Sequence, residues 1–432
     1  IIDGEHVIND KKNNFINKYL AFDIYYINKL DIRDKRFYLE DSEEETRLSK
    51  LDKLMNEQIF QPVVGNILPL KIKAKSFHYS DEDNGSLFSN CKLILDKINS
   101  GQFEYETDGL IFTPADKAVG SNKVGELLDP VKKTWHASMK WKPSHLNTID
   151  FLVTTLKNEA KQDVVKNLFE SGDAVQSNNN VKEYKILQLR VGFDENRDGY
   201  LNPAEDVIQD NVYRDRYNED SSSYKPVPFY PTNPTPPYPA YLCNIMLKTI
   251  GSQSFITTED QKEIIEDETI VEFRYDKTAE KLWQWIPIKV RYDKTAEYKS
   301  GGRNYGNSYN TAQGVWNSIH HPVTEDMLMY GDNIPDDLAD SEIYYNNSDR
   351  KDTTTKGLRD FHNLYVKRLL ISSVSNKGNT LIDMTVGKGG DFPKWIGSKL
   401  SFVFGIDLFE NNIKNKIDGA CARYLNERRK RV

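Results

Sequence analysis

WHASMKWKPSHLNTIDFLV, residues 135–153, is the stretch on which the reading of the fold turns. Its first half ends in Lys-Trp-Lys-Pro. Lys140 and Lys142 stand two apart on a strand, so they point to one face and can converge on one phosphate. Its second half opens into TIDFLVTTL (148–156), the first of a series of strands. A boundary near residue 150 follows.

Upstream of that boundary, short apolar strands alternate with charged loops. YLAFDIYYI (19–27) and YETDGLIFTP (105–114) are rich in β-branched and aromatic residues and end in turn formers. RLSKLDKLMNEQIF (47–60) and CKLILDKINSG (91–101) carry the 3.6-residue spacing of amphipathic helices, and the second stops at a glycine. This is an α+β pattern. Downstream, EYKILQLRVGF (183–193), TIVEFRY (269–275) and WQWIPIKVRYDK (283–294) read as strands of a small β-barrel with insertions. KPVPFYPTNPTPPYP (225–239) reads as an extended surface loop with polyproline-like segments. The copies FRYDKTAE (273–280) and VRYDKTAE (290–297) are expected to close one hairpin, with its turn between Asp276 and Leu282.

Acidic DDLADSE (336–342) and polar NNSDRKDTTTKG (346–357) read as linker. TLIDMTVGKGGDFPKWI (380–396) then gives a strand, a glycine-rich turn and a helix, and FVFGIDLFENNIKNKIDGACARYL (402–425) a second strand and helix. That order opens a doubly wound nucleotide-binding sheet, with acidic Asp407 at the end of the second strand suited to a ribose hydroxyl.

The chain has 432 residues, a formal net charge of −7 and three widely spaced cysteines, Cys91, Cys243 and Cys421. The acidic balance argues against a nonspecific DNA coat but permits a local basic pocket. The cysteine usage fits a reducing compartment without a zinc site. No apolar run reaches the roughly 18 residues that span a bilayer. The chain starts with Ile1 and reads as a segment of a longer polypeptide.

DGE (3–5), AFDIYYI (21–27), DGLIF (108–112), KWKP (140–143) and RYDK (291–294) stand in order. Nucleotidyl transfer needs carboxylates for metal, lysines for phosphate charge and an aromatic face for the base. This set resembles the covalent nucleotidyltransferases, and specifically the mRNA capping guanylyltransferases of large DNA viruses. The resemblance implies an α+β catalytic domain, truncated at its N-terminus, over 1–150 and an OB-fold β-barrel lid over 151–325. It places Glu5 on ribose or metal, Phe22 on guanine and Asp108 on Mg2+ or Mn2+. Lys140 and Lys142 would hold the α-phosphate of GTP, and Asp150 supplies a further GTP-binding carboxylate. Arg291, Asp293 and Lys294 would orient the pyrophosphate. The family's KxDG lysine lies upstream of DGE and is missing from 1–150, so this segment alone is expected to form no lysyl-GMP adduct.

FHNLYVKRLLI (361–371) with GKGGDFPKW (387–395) resembles the cap guanine-N7 methyltransferases fused to viral capping enzymes. After a linker at 326–355, residues 356–432 would begin an α/β Rossmann-like methyltransferase domain. That resemblance implies Lys367, Asp383, Gly387, Lys388 and Asp407 around S-adenosyl-L-methionine, and Asn363 near the cap guanine. An RNA 5′ end is the implied partner, together with a methyltransferase-activating subunit. The implied location is virion or host cytoplasm. A polynucleotide ligase, or a noncatalytic nucleotide- or RNA-binding scaffold, is the alternative.

Two further motifs compete for a role. DENRDGYLNPAE (194–205) matches the spacing of an EF-hand calcium loop, but the period-two ILQLRVGF before it reads as a strand, so a polar hairpin loop is expected. KIDG (416–419) matches the nucleophile pattern but follows every other motif. The spacing of Ile413, Ile417, Ala420, Tyr424 and Leu425 predicts that it lies on a helix.

Overall fold

FINKYLAFDI, which buries Leu20, Ala21, Asp23 and Ile24, is the central strand of the first sheet of the protein, seen here in a computed structural model. The structure describes residues 1–39, 45–57, 70–80, 86–121, 123–125, 135, 137–169, 181–211, 224–334 and 355–430. By contact the chain forms two units, Ile1–Leu146 with Pro322–Pro335, and Asn147–His321 with Asp336–Val432.

In the first unit, β1 (Ile2–Asn9) pairs antiparallel with β2 (Phe15–Ile24), placing Glu5 opposite Leu20. A two-residue pair follows, β3 (Tyr26–Ile27) with β4 (Leu30–Asp31). Helix α1 (Arg47–Glu57) buries Leu48 and Leu51 against Ala21, Ile24, Ile32 and Phe37. The expected helix continued to Phe60, but 58–60 lie outside the described residues. Strand β5 (Lys71–Ala74) runs parallel to β2. Helix α2 (Leu87–Asn99) starts where the Ser86 side chain accepts from Ser89 N, and it ends just before Gly101. It buries Cys91 and Leu95 against Leu110 of β6 (Leu110–Phe112) and Trp141 of β7 (Met139–Trp141), a short antiparallel pair.

The second unit is built on a long strand. It comprises β8 (Thr148–Thr155), β9 (Val165–Phe169) and β10 (Val181–Asp194), then the short helices α3 (Glu195–Asp198) and α4 (Pro203–Ile208). After them come β11 (Tyr224–Pro228), β12 (Leu242–Ile250), β13 (Gln253–Thr257), β14 (Ile264–Ile265), β15 (Thr269–Tyr275) and β16 (Trp285–Val290). The sheet order is β14-β13-β12-β10-β8-β15-β16, with β9 and β11 also paired to β10. The two ends of this sheet meet. Glu259 N donates to Pro287 O at 2.8 Å, and Val290 N donates to a Glu263 carboxylate oxygen at 2.8 Å. The sheet is therefore nearly closed and barrel-like, filled by Phe151, Phe193, Phe229, Phe273 and Trp285. Burying an aromatic side chain of this size contributes about 1.5–3 kcal/mol, and these five are at most 2% exposed.

Helix α5 (Tyr292–Lys299) follows β16 directly, and α6 (Tyr309–His320) buries Tyr309, Ala312 and Trp316 in the barrel core. Helix α7 (Glu325–Tyr330) belongs to the first unit, where Trp141 Nε1 donates to Val323 O at 2.6 Å. Most of the expected linker, 335–354, lies outside the described residues.

The C-terminal α/β segment runs α8 (Lys356–Asp360), a π-helical turn at Phe361–Val366, α9 (Lys367–Val374), β17 (Thr380–Asp383), α10 (Phe392–Gly397), β18 (Phe402–Gly405), α11 (Glu410–Lys414) and α12 (Ala420–Arg429). Strands β17 and β18 pair in parallel, Asp383 opposite Gly405, joined by the crossover helix such pairs require.

Four expectations are corrected. The proline-rich stretch is not all surface loop: Tyr224–Pro228 adds a strand to β10, and Phe229 is fully buried. An edge position suits it, because proline has no N–H for a second ladder. In RYDK the strand stops at Val290, and residues from Tyr292 form the first turn of α5. DENRDGYLNPAE does lie in the connection from β10 to its antiparallel partner β11, but it is not plain loop: it carries two short helices, α3 and α4. KIDG is not helical: Lys416–Asp418 are a turn, and Gly419 is the N-cap of α12.

Candidate functional site

The candidate pocket of the first unit starts from β1, β2 and β5. The Lys75 ammonium, one residue past β5, lies 2.9 Å from Glu5 Oε2 and 5.5 Å from the centroid of the Phe22 ring. Lys75 N also donates to Ala21 O at 2.7 Å, which fixes this residue beside β2. Three elements thus bring a carboxylate, an aromatic ring and a cation together. Lys75 escaped the sequence reading. The signal was available: Lys71, Lys73 and Lys75 alternate and share one face of the KIKA strand and its extension.

Strand β2 is fastened from behind. Arg47 is fully buried and grips Asp23 through Nε at 2.9 Å and Nη2 at 3.0 Å. Its Nη1 also donates to the carbonyls of Lys117 and Lys35. Burial raises the Asp23 carboxyl above its usual value, against the opposing pull of Arg47. This pair sits on the residue next to Phe22 and sets the path of the strand.

A second cluster forms where β6 meets β7. Lys140 Nζ lies 2.9 Å and Lys142 Nζ 2.8 Å from the same oxygen, Asp108 Oδ2. Trp141 between them is buried, so the strand turns both lysines to one side. Gly109 makes the approach possible: its φ is +138°, and a Cβ there would lie 1.9 Å from Trp141 O. Burial raises the Asp108 carboxyl, but hydrogen bonds from Lys142 and Lys140 outweigh it and hold the group below its usual value. Among the described residues no cluster of three or more His, Cys, Asp or Glu could cage a metal. Asp108 is paired with two lysines and Glu5 with Lys75, and either carboxylate alone is of the kind Mg2+ takes beside substrate phosphate and water.

In the second unit, Asp150 on β8 is 6% exposed and faces Arg291 and Lys294. Arg291 Nη1 donates to Asp150 Oδ2 at 2.8 Å, and Lys294 Nζ donates to the same atom. Arg291 is the N-cap of α5 and Lys294 its third residue, so one helical turn presents both cations to one carboxylate. Asp293 stays exposed, 3.7 Å from Arg291 Nε. Asp150 N donates to Asn307 Oδ1 at 2.8 Å, which fixes its place. The structure therefore gathers Asp150, Arg291, Asp293 and Lys294 in one cluster.

In the α/β segment, Gly387 N donates to Asp407 Oδ2 at 2.8 Å, joining the glycine turn to the end of β18. Phe409 N and Asn412 Nδ2 donate to Oδ1 of the same carboxylate. Burial raises Asp407, but these donors, Asn412 foremost, leave it below its usual value. Asp383 ends β17 and accepts from Thr385 N at 3.0 Å. Lys367 opens α9 and pairs with Asp391 at 3.1 Å. Lys388 is drawn elsewhere, buried and paired with Asp418 at 2.8 Å. Asn363 lies half-buried in the π-helical turn.

The calcium-like loop uses its acids internally. Asp194 caps α3 through Asn196 N, and buried Asp198 accepts from Asp194 N, Arg197 and Asn310. No helix of the described residues is long and apolar enough to cross a membrane.

Comparison with known proteins follows the same lines. Residues 247–329 match the family model of the mRNA capping enzyme, C-terminal domain. A protein of Acanthamoeba polyphaga mimivirus, described as "Probable mRNA-capping enzyme", is 26% identical over 346 residues. That match covers 74% of this chain and 25% of the mimivirus protein, so the chain spans about a quarter of its relative's length. The "mRNA cap guanine-N(7) methyltransferase 1" of Oryza sativa subsp. japonica is 36% identical over 53 residues, 12% of this chain and 14% of that protein.

Proposed function

We propose that this chain, which resembles the mRNA capping enzymes of large DNA viruses, binds GTP in its first unit and serves the transfer of GMP to the 5′-diphosphate end of RNA. The observation that carries this reading is the convergence of Lys140 and Lys142, from one strand, on Asp108. Two ammonium groups held 2.8–2.9 Å from one carboxylate are placed to exchange it for the α-phosphate of a nucleotide.

In the reaction a lysine amine attacks the α-phosphorus of GTP. The N–P bond forms, the bond to the bridging oxygen breaks, and pyrophosphate leaves. A terminal oxygen of diphosphate RNA then displaces the lysine from phosphorus. In the family this chain resembles that lysine belongs to a KxDG motif, and no such motif occurs within residues 1–150. Lys140 and Lys142 neutralise the charge that builds on the phosphate, Phe22 stacks on guanine, and Glu5 takes the ribose. Asp108 and Glu5 would hold Mg2+ or Mn2+, which supplies Lewis-acid charge for the departing pyrophosphate. On the barrel, Arg291 and Lys294 orient the pyrophosphate, with Asp293 and Asp150 setting their positions. The match at 247–329 supports capping over polynucleotide ligation.

The α/β segment is read as the start of a cap guanine-N7 methyltransferase, a reading supported by the short match to the rice protein. Asp407 has one lone pair left after its three donors, enough for a ribose hydroxyl of S-adenosyl-L-methionine, which brings the methyl group. Lys367, Asp383 and Gly387 would complete that site, Lys388 could join it only by leaving Asp418, and Asn363 would face the cap guanine, with an activating subunit as a further partner. The enzyme would act in the virion or the host cytoplasm.

The test is calorimetric titration of the chain with GTP and magnesium. Binding is expected, weakened at least tenfold by Lys142→Ala or Phe22→Ala. Equal affinity in all three chains would leave a scaffold rather than a pocket.

A further inference from the structure

Two motifs have no part in the reading above, DENRDGYLNPAE and KIDG, and in the folded second unit they meet. Tyr200 N donates to Lys416 O at 2.9 Å, and the Lys416 ammonium donates back to Leu201 O. That ammonium also sits 4.3 Å from the centroid of the Tyr309 ring. Gly199, at φ +80°, lets the backbones touch, because a Cβ there would lie 2.2 Å from Lys416 O. Around this crossing, Tyr200 Oη donates to Asn426 at 2.8 Å, and Tyr200 packs with Ala422 and Leu425 in a small buried cluster.

We propose that these two loops form a latch fastening the α/β segment to the barrel, and that the Lys416 amine is its proton-sensitive pin. Lys416 is 8% exposed and lies on the wall shared by two cavities of about 450 and 260 Å³. An ammonium has three hydrogens to place, and here one carbonyl and one ring face receive it.

The described carboxylates around the pin already have partners of their own. Asp198, the carboxylate that favours the ammonium, is held by Arg197 and Asn310 at 2.9 Å each. Glu410 pairs with Lys414 at 2.7 Å, and Asp418 with Lys388 at 2.8 Å. Glu205, across the smaller cavity, accepts from Gln209. Tyr309 presents a neutral ring, its hydroxyl pushed up by burial. Burial therefore prevails at Lys416 and lowers it from an ordinary 10.5 to about 7, against the pull of Asp198.

Released from the barrel, the amine regains water and its ordinary value. The latched state then binds fewer protons than the open one between about pH 7 and 10.5, so latching tightens as pH rises through that window. It is weakest below pH 7. One proton per event sets a slope of up to about tenfold per pH unit, or about fiftyfold between pH 7 and 9.

Hydrogen exchange on the whole chain, corrected for the intrinsic rate, reads the opening at the Tyr200 amide. In the wild type its protection is expected to rise tens of fold from pH 7 to 9. Lys416→Met should keep the latch and flatten the profile. Gly199→Ala should lower protection at every pH and keep the slope. A flat wild-type profile, or a Lys416→Met profile parallel to it, overturns the pin. Should Lys416→Met fail to fold, unchanged protection in Gly199→Ala overturns the latch itself.

Discussion

Replacing Asp23 by alanine should cost the first unit about 3–5 kcal/mol, the usual penalty for stripping a buried charge of its partner. The size follows from the surroundings of Arg47. Its side chain is 0% exposed, and the Asp23 carboxylate meets it with two contacts of 2.9 and 3.0 Å. Without Asp23 the guanidinium keeps, among the described residues, the neutral carbonyls of Lys35 and Lys117 and the Phe37 ring, but no counter-charge. Water cannot easily replace it at zero exposure. Removing both charges in Asp23→Ala with Arg47→Met should recover most of the loss, because a buried ion pair and a packed apolar pair are often nearly equal in free energy. Urea unfolding followed by the emission of Trp141, which lies in the same unit, measures each variant. A GTP titration on the same samples reports the consequence for Phe22, whose strand the pair holds. A single variant that loses less than about 1 kcal/mol would refute the electrostatic account. So would a double variant less stable than the sum of the two single losses.

Other expectations are shorter. Gly109→Ala forces a Cβ into the Trp141 carbonyl, so it should separate β6 from β7 and weaken GTP binding at least as much as Lys142→Ala. The chain with labelled GTP and magnesium should give no acid-stable covalent adduct on a denaturing gel, because residues 1–150 hold no KxDG. Asp407 is held below its usual value, so the turn it ties to Gly387 gains stability that is full above about pH 4 and is lost as pH falls through its folded value. Amide exchange at Gly387 between pH 5 and 3 should show that loss. Burial pushes the thiols of Cys91, Cys243 and Cys421 all upward, so a disulfide reagent at pH 8 should find no fast thiol until urea exposes all three. One rapidly titrating cysteine in the native chain would contradict it.

Local periodicity made part of the candidate site legible. Lys140 and Lys142 share a face because strands have period two, and the structure brings them to one oxygen. Strand ends such as Thr269–Tyr275 match the apolar run itself. Lys75 was not legible, because its role rests on β5 pairing with β2, a contact between residues more than 50 apart. Helical spacing through KIDG misled for a related reason. Asn415 leaves the helical region at ψ 129°, its Oδ1 accepts from Ile417 N and Asp418 N, and Lys416 is pulled toward Leu201, so the chain turns where its pattern allowed a helix.

The repeat RYDKTAE draws the line most clearly, since residues 274–280 and 291–297 are identical in sequence. In the first copy Arg274 and Tyr275 finish β15, opposite Ile286 and Trp285, and Asp276 then closes a turn by accepting from Thr278. In the second, the same letters are an N-cap and a helix. Sequence determined that both copies would lie next to strands and that a hairpin would join them. Tertiary partners decided their conformations. Tyr275 packs its ring against Trp285 and Trp316, which holds the first copy extended. Asp150 draws Arg291 and Lys294 to one oxygen, and the Thr295 hydroxyl accepts from Ile270 N at 2.9 Å, contacts that only a helical turn can make together. Seven residues carry too little local preference to choose, so the choice falls to whatever buried groups stand opposite them.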